Sequence, residues 1–396
     1  MTKTHKREKQ AKMKITSVRA TPVSMPTKRP CTWALGSGSG MTRTILELGT
    51  DEGLTGLGEC GISAAAPLFN GKLGEKLVGL AIEDLAGAAR ACHMDFRDHG
   101  AISDSTYLKA YAAIEMAMLD LQGKMTGLPV FQLLGGPVRP RAEFGAYAYM
   151  FHLATAGMAE KQVPDAMAAY ATEAIKRTGA KVFEFKVGRF STQTDIKTIR
   201  KVRDAVGGDI VLGVDANQAL DLDGARRLMR GIEGVRLDWF EEPVPLLADM
   251  TRLHEEFGIA ISSHCLDPEK IIFYPAIAGI VGDLQIQGGM RGLMRSAATF
   301  RGLGRRFWQR ACLELGIAWA AMVHVGIACP DLMRASQSLI DYVEDDLILG
   351  PMWLLQQGGV IPPDKPGLGV ELDREALARY AELFRKKGDL TYFDEE

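Results

Sequence analysis

The stretch VFEFKVGRFSTQTDIKTIRKVRDAVGGDIVLGVDANQALDLDGARRLMRGIEGVRLDWFEEP, residues 182–243, alternates short apolar runs with helical ones. VFEFKVG precedes a helical pattern through TDIKTIRKVRDAV. IVLGVD, a helix through DGARRLMRGI and then LDWFEEP follow. The rhythm continues through MTRLHEEF and IAISSHC. Strands alternating with helices imply parallel βα units. About eight candidate strands follow Arg141, which points to a (β/α)8-type, TIM-like barrel rather than a doubly wound sheet.

Upstream the pattern differs. Residues 14–60 read as strands, with Ile15, Val18 and Val23 in the first and TILEL, residues 44–48, in the second. Between these lies the Gly- and Ser-rich stretch Thr27–Met41, long enough for a flap, and a second loop is expected over Gly61–Asn70. From about Gly74 to Met125 the spacing turns helical. In YLKAYAAIEMAMLDLQGK, Ala113, Ala117 and Leu121, with Ile114 and Met118, recur at three- and four-residue steps, so one face is apolar.

The chain has 396 residues, 47 basic against 49 acidic, for a formal charge of −2. That balance argues against nucleic acid as a partner, which calls for concentrated positive charge. No apolar run reaches the ~18 residues that span a bilayer. Its 6 cysteines are scattered without CxxC spacing, so neither a disulfide framework nor a zinc site is indicated. The expectation is a cytoplasmic enzyme with a small-molecule partner and a solvated basic tail over residues 1–12.

Five polar residues stand where strands end: Lys186, Asp215, Glu241, His264 and Asp283, at intervals of 29, 26, 23 and 19 residues. One strand plus one helix occupies about that length, and in a barrel the C-terminal strand ends ring a common mouth. Asp215 and Glu241 follow the apolar runs IVLGV and LDWF. Buried carboxylates are costly unless paired or bound to metal, and oxygen ligands from separate strands suit a hard cation such as Mg²⁺. Lys186 is then the natural proton acceptor. The chemistry implied is abstraction of a proton from the carbon next to a carboxylate.

These residues are where the chain resembles the enolase superfamily, in its mandelate racemase and glucarate dehydratase branch; a lysine or histidine base with Mg²⁺ is that superfamily's known pairing. RTILELGTDEGLTGLGE at 43–59, AAIEMAMLDLQGK…LLGG at 112–136, FKVG, VDAN, FEEP and PDKPGLGVEL at 363–372 carry the resemblance, in order and spacing. It implies an N-terminal α+β capping domain over 13–140, a barrel over 141–362, and a C-terminal segment, 363–396, that returns to the capping domain. It implies Lys186 as base, Asp215 and Glu241 (rather than Glu242) as metal ligands, and Asn217 as a contact to substrate. Asp283 resembles the acid that elsewhere orients a catalytic histidine. Relatives usually form homo-oligomers, and their flaps close over the mouth.

Three departures stand out. The third ligand position, elsewhere Asp, Glu or Asn, is here His264, a poorer ligand for Mg²⁺ and a better one for Mn²⁺, Fe²⁺ or Zn²⁺. Either the metal differs, or His264 has another task and water completes the shell; Asp267 is a nearby substitute that reads equally well as a helix cap before Pro268. The usual Lys-x-Lys is Glu184-Phe185-Lys186, and residues two apart share a strand face. Glu184 either pairs with Lys186 or moves a proton itself. Finally, no histidine occupies the seventh-strand region, where Glu314 aligns with Arg310 one turn before it; His324 lies in an apolar helical run and reads as core. One convincing base favours dehydration of a hydroxylated acid, such as a sugar acid, to a 2-keto acid. The alternatives are a racemase, epimerase or cycloisomerase, and a non-catalytic barrel that binds a carboxylate.

Overall fold

The computed structural model describes residues 12–92 and 106–390. Nearly all of the expected basic tail lies outside them. Strands β1 (Ile15–Trp33), β2 (Gly36–Thr50) and β3 (Thr55–Cys60) form an antiparallel sheet. Thr27–Met41 is therefore no open loop: it is the far end of the β1–β2 hairpin, which turns at Ala34–Leu35. Pairing is interrupted by register shifts between Ile15 and Ser17 and between Pro26 and Cys31, the second where Pro26 and Pro30 each lack a backbone donor. Gly61–Asn70 contains one short helix, Ala65–Phe69.

Helix α1 (Thr106–Thr126) lies on this sheet. It comes so close that a Cβ at Gly56 or Gly58 would stand 2.2 or 2.1 Å from the carbonyl oxygens of Ala117 and Ala113. This is why LTGLGE alternates glycine with apolar residues. The expected face of Ala113, Ile114, Ala117, Met118 and Leu121 joins the capping-domain core, whereas Ala112, Met116 and Leu119 join the core of the barrel. The helix is buried on two sides, not one.

After Gly136 the chain alternates as the sequence predicts. Strands β4 (Ala146–Ala148), β5 (Val182–Lys186), β6 (Val211–Asp215), β7 (Trp239–Glu241), β8 (Ile261–Ser263), β9 (Ile277–Gly282) and β10 (Arg306–Gln309) pair in sequence order into one parallel sheet. Helices α2 (Val163–Thr178), α3 (Thr192–Val206), α4 (Leu222–Gly231), α5 (Leu247–Phe257), α6 (Gly289–Gly302) and α7 (Gly316–Ala328) intervene or follow. Seven strands form where about eight were expected. The eighth place is held by Ser336–Gln337: Gln337 N donates to Gln309 O (2.9 Å) and Gly145 N to Ser336 O (2.8 Å), which joins the sheet's two edges. The flanking sequence, RASQS, lacks the β-branched residues that extend a strand. The result is a closed TIM-like barrel beneath an N-terminal sheet domain.

The last described helix, α8 (Arg374–Lys387), packs against β1. Ser24 Oγ donates to Gly388 O (2.8 Å) and Leu390 N to Thr42 Oγ1 (2.8 Å).

Candidate active site

Register places the site. Lys186 pairs with Asp215 and Asp215 with Glu241 across β5, β6 and β7, so three consecutive strand ends stand level. Glu241 is level with Ser262 on β8, and His264 lies two residues further along the same face. One ligand atom from each of Asp215, Glu241 and His264 falls within 4.8 Å of the others. A cavity of about 380 Å³ opens over them, which Lys186, Asn217, Asp283, Arg310 and Glu314 also line.

Lys186 Nζ forms an ion pair with Asp215 Oδ2 and lies 5.6 Å from the Tyr147 ring centroid. Burial pushes the Asp215 carboxyl above its ordinary range, with Lys186 opposing. For Glu241 burial acts in the same direction but is outweighed by the His264 hydrogen bond and charge and by Lys186, which bring it down to about 2. His264 Nε2 stands 3.2 Å from Glu241 Oε1. Burial lowers the His264 pKa, yet the Glu241 contact outweighs it and the net shift is upward. Its Nδ1 lies 3.3 Å from Val281 O, an arrangement that leaves Nε2 directed at the carboxylates.

The two adjacent acids of FEEP divide their tasks. Glu242 takes a left-handed backbone, φ 44°, which turns its side chain away from the cavity. It accepts from Ser263 Oγ and His264 N, each 2.6 Å, and so holds the loop that carries His264. Asp267 accepts from Glu269 N (3.0 Å) and Lys270 N (3.3 Å) as a helix cap and does not line the cavity.

Glu184 is not paired with Lys186. It is buried among Trp239 Nε1 (3.1 Å), Gln337 Nε2 (2.7 Å) and Arg334 Nη2 (3.4 Å), one layer below the cavity. Burial and the Glu241 charge push its pKa well up. The same Gln337 amide donates to both oxygens of Glu241, at 3.1 and 3.2 Å.

Across the mouth, Asp283 Oδ2 accepts from Arg310 Nη2 (2.6 Å) and from Cys312 Sγ (3.2 Å). Its partner is thus an arginine, not the histidine that the resemblance implied. Burial raises the Asp283 pKa, but Arg310 outweighs it and holds the carboxylate low. Glu314 accepts from Cys312 N (2.7 Å); burial and the Asp283 charge push it up to about 7. His324 lies elsewhere, fully buried, with Phe131 N donating to Nδ1 (3.2 Å) and Nε2 against Leu368 O (3.1 Å). Burial lowers its pKa to about 4. It is core.

Beyond the stretches Thr27–Met41 and Gly61–Asn70, which supply Trp33 and Gly61, the sequence did not expose the capping-domain contribution. Arg43 of β2, Glu59 of β3 and Lys109 of α1 line the cavity, as do Tyr147 and Gln337 of the barrel. Tyr147 had a signal, since it lies at the end of the strand preceding that of Lys186. The others sit in runs with no polar periodicity to mark them.

The donor set fits a divalent cation. Two carboxylates and an imidazole converge, and Asn217 Oδ1, which lines the same cavity, is a buried oxygen without a hydrogen-bond partner. Two anions this close and this buried call for a compensating charge. In the structure Lys186 pairs with Asp215, and His264 Nε2 faces Glu241.

Comparison with known proteins defines the class. Residues 15–135 match the mandelate racemase / muconate lactonizing enzyme N-terminal domain, and residues 166–376 match the enolase C-terminal domain-like family. The chain belongs to the enolase superfamily, in its mandelate racemase / muconate lactonizing enzyme branch. It is 29% identical over 363 residues to a probable glucarate dehydratase of Streptomyces coelicolor, covering 85% of this chain and 84% of that one. It is 27% identical over 388 residues to the N-succinyl-L-Arg/Lys racemase of Bacillus cereus, covering 92% and 97%. An enolase from Thermobispora bispora, solved with magnesium and formate, superposes with a TM-score of 0.85 at 30% identity, covering 97% of this chain and 96% of that one. These relatives are enzymes, divided between a lyase and an isomerase.

Proposed function

We propose that this chain removes the proton α to a carboxylate with Lys186 as base, and that it dehydrates a hydroxylated acid to a 2-keto acid. The single observation that carries the reading is the placement of Lys186 and Glu314 on one cavity, with Asp215, Glu241 and His264 at its floor. Those three side chains would hold a divalent ion, with Mg²⁺ or Mn²⁺ the matching charge. When bound, such an ion supplies positive charge where negative charge builds on the substrate carboxylate.

The remaining work falls to side chains. Lys186, in its free-amine form, accepts the α-proton at Nζ and becomes the ammonium that pairs with Asp215 at the strand end, beside the Tyr147 ring. Glu314, protonated below about pH 7, donates a proton at its carboxyl to the departing β-hydroxyl, which leaves as water. Arg310, fixed by Asp283, offers its guanidinium to an anionic or hydroxylated substrate. Trp33 and Gly61 from the capping domain close the rim and limit water.

A second reading, racemisation or epimerisation, draws on the same Glu314: with its pKa near 7 it serves equally as a second base. Incubating the metal-loaded enzyme with a panel of sugar acids and hydroxy acids in D₂O separates the two. A 2-keto product supports dehydration. Deuterium entering recovered substrate without loss of water supports the isomerase. Neither, from any acid, overturns both.

A further inference from the structure

A second cavity, about 500 Å³, opens at the opposite end of the barrel. Its wall is made by the N-terminal ends of the strands: Val182, Val211, Trp239, Ile261 and Arg306. None of the residues assigned to catalysis or metal lines it. Trp239 and Trp308 fill the barrel interior at this level, their rings lying where side chains at Gly213 and Gly279 would otherwise project. Between the two indoles sits the guanidinium of Arg334, 3.3 and 3.9 Å from the ring centroids. A cation stacked on both faces is fixed in place.

The charge around this cavity does not balance. Arg141, Lys181, Arg236, Arg306 and Arg334 line it, against Glu143 and Asp238. Asp238 is already shared by Arg236 and Arg203. Arg334 reaches Glu184, and Arg141 only the carbonyl groups of Gln356 and Gln357. Among the described residues, Lys181 and Arg306 have no hydrogen bond or ion pair from their side chains. Burial and the Arg306 charge lower the Arg334 pKa to about 10 despite Glu184. The wall also holds two buried donors with no acceptor, Nε of Arg334 and Nε1 of Trp308. Like charges around a concave, low-dielectric wall focus their field into it.

We propose that this cavity is a second small-molecule site, which takes a compact ligand carrying at least two negative charges as a phosphate or as paired carboxylates. Guanidinium groups match both oxyanions, and the volume lies within the range of about 300–1,000 Å³ usual for ligand pockets. The site is independent of the reaction assigned above, since it shares no lining residue with the catalytic mouth.

Calorimetric titration of the metal-loaded protein with inorganic phosphate and, separately, with succinate tests it. Saturable binding of one anion at about 1 mM or tighter is expected, weakened at least about ten-fold in the Lys181→Ala/Arg306→Ala double variant. Both side chains are exposed, so the variant keeps its melting temperature. Binding should be unchanged in Lys186→Ala, which probes the catalytic mouth. Phosphate alone binding assigns a phosphate group, and succinate alone paired carboxylates. No saturable binding of either, equal affinity in the double variant, or loss in Lys186→Ala overturns the proposal.

Discussion

Glu184 and Arg334 form an ion pair inside the barrel, 3.4 Å apart, with the arginine clamped between two tryptophans. This relationship gives a physical account of the substituted Lys-x-Lys. The acid two residues before Lys186 is answered from the last turn of the barrel, and Lys186 is left to Asp215. Gln337 then ties the pair to Glu241, so the buried polar layer continues to the floor of the mouth.

Breaking that pair from one side strands a charge. Glu184→Ala should destabilise the fold by about 3 kcal/mol, the usual cost of leaving a buried partner uncompensated. The Glu184→Leu/Arg334→Met double variant, which removes both charges and refills the volume, should recover most of the loss. Denaturant melts of the variants decide it; a double variant no more stable than Glu184→Ala counts against the ion pair.

Lys186→Met should lower kcat by about 10²- to 10⁴-fold, the range for loss of a positioned base, while stoichiometric metal is retained. Single-turnover assays beside metal analysis check this. Unaltered turnover would remove Lys186 from the role of base.

The Glu314 carboxyl, pushed up to about 7 by burial and Asp283, sets a pH signature. Dehydration needs it protonated, so kcat/KM should fall tenfold per unit above about pH 7, and Glu314→Gln should abolish that limb. Stability has the same sign. Between the unfolded value of 4.5 and about 7 the folded protein holds more protons, so Glu314's contribution shrinks as pH rises through that window. Rate profiles and melts across pH 5–9 measure both.

Replacing the imidazole in the metal set should change its preference. His264→Asp should tighten Mg²⁺ relative to Mn²⁺, because an oxygen ligand suits the harder ion. Competitive titration of the two metals gives the ratio, and an unchanged ratio would place His264 outside the shell.

Glu59 reaches from β3 to the start of α7, where it accepts from Leu315 N and Ala318 N at 2.9 Å each, with Arg43 Nε at 3.4 Å. Glu59→Leu leaves those amide groups unsatisfied and should cost about 1–3 kcal/mol. The capping domain would loosen before the barrel, visible as faster amide exchange in residues 15–60.

Legibility in the sequence followed periodicity. Lys186, Asp215, Glu241 and His264 end short apolar strands at regular spacing, so their convergence was readable before any coordinates. Asp283 and Arg310 were readable as site residues, but their pairing with one another was not, since it depends on how two loops turn. Gln337 escaped because its segment makes a bridge rather than a strand. Arg43, Glu59 and Lys109 escaped because one domain covering another leaves no local pattern. The hairpin at Thr27–Met41 was misread for a related reason: its glycines and serines suit a loop, while the pairing that makes it a strand is supplied by its own other arm.

The seam between β1 and α8 has a temporal meaning. Ser24 and Gly388 are separated by 364 residues, and the hydrogen bond between them closes one side of the capping layer. During synthesis the barrel strands emerge, and can assemble, before this neighbour of β1 does. Chains stalled between the barrel and α8 should therefore own a folded barrel before they own a finished roof.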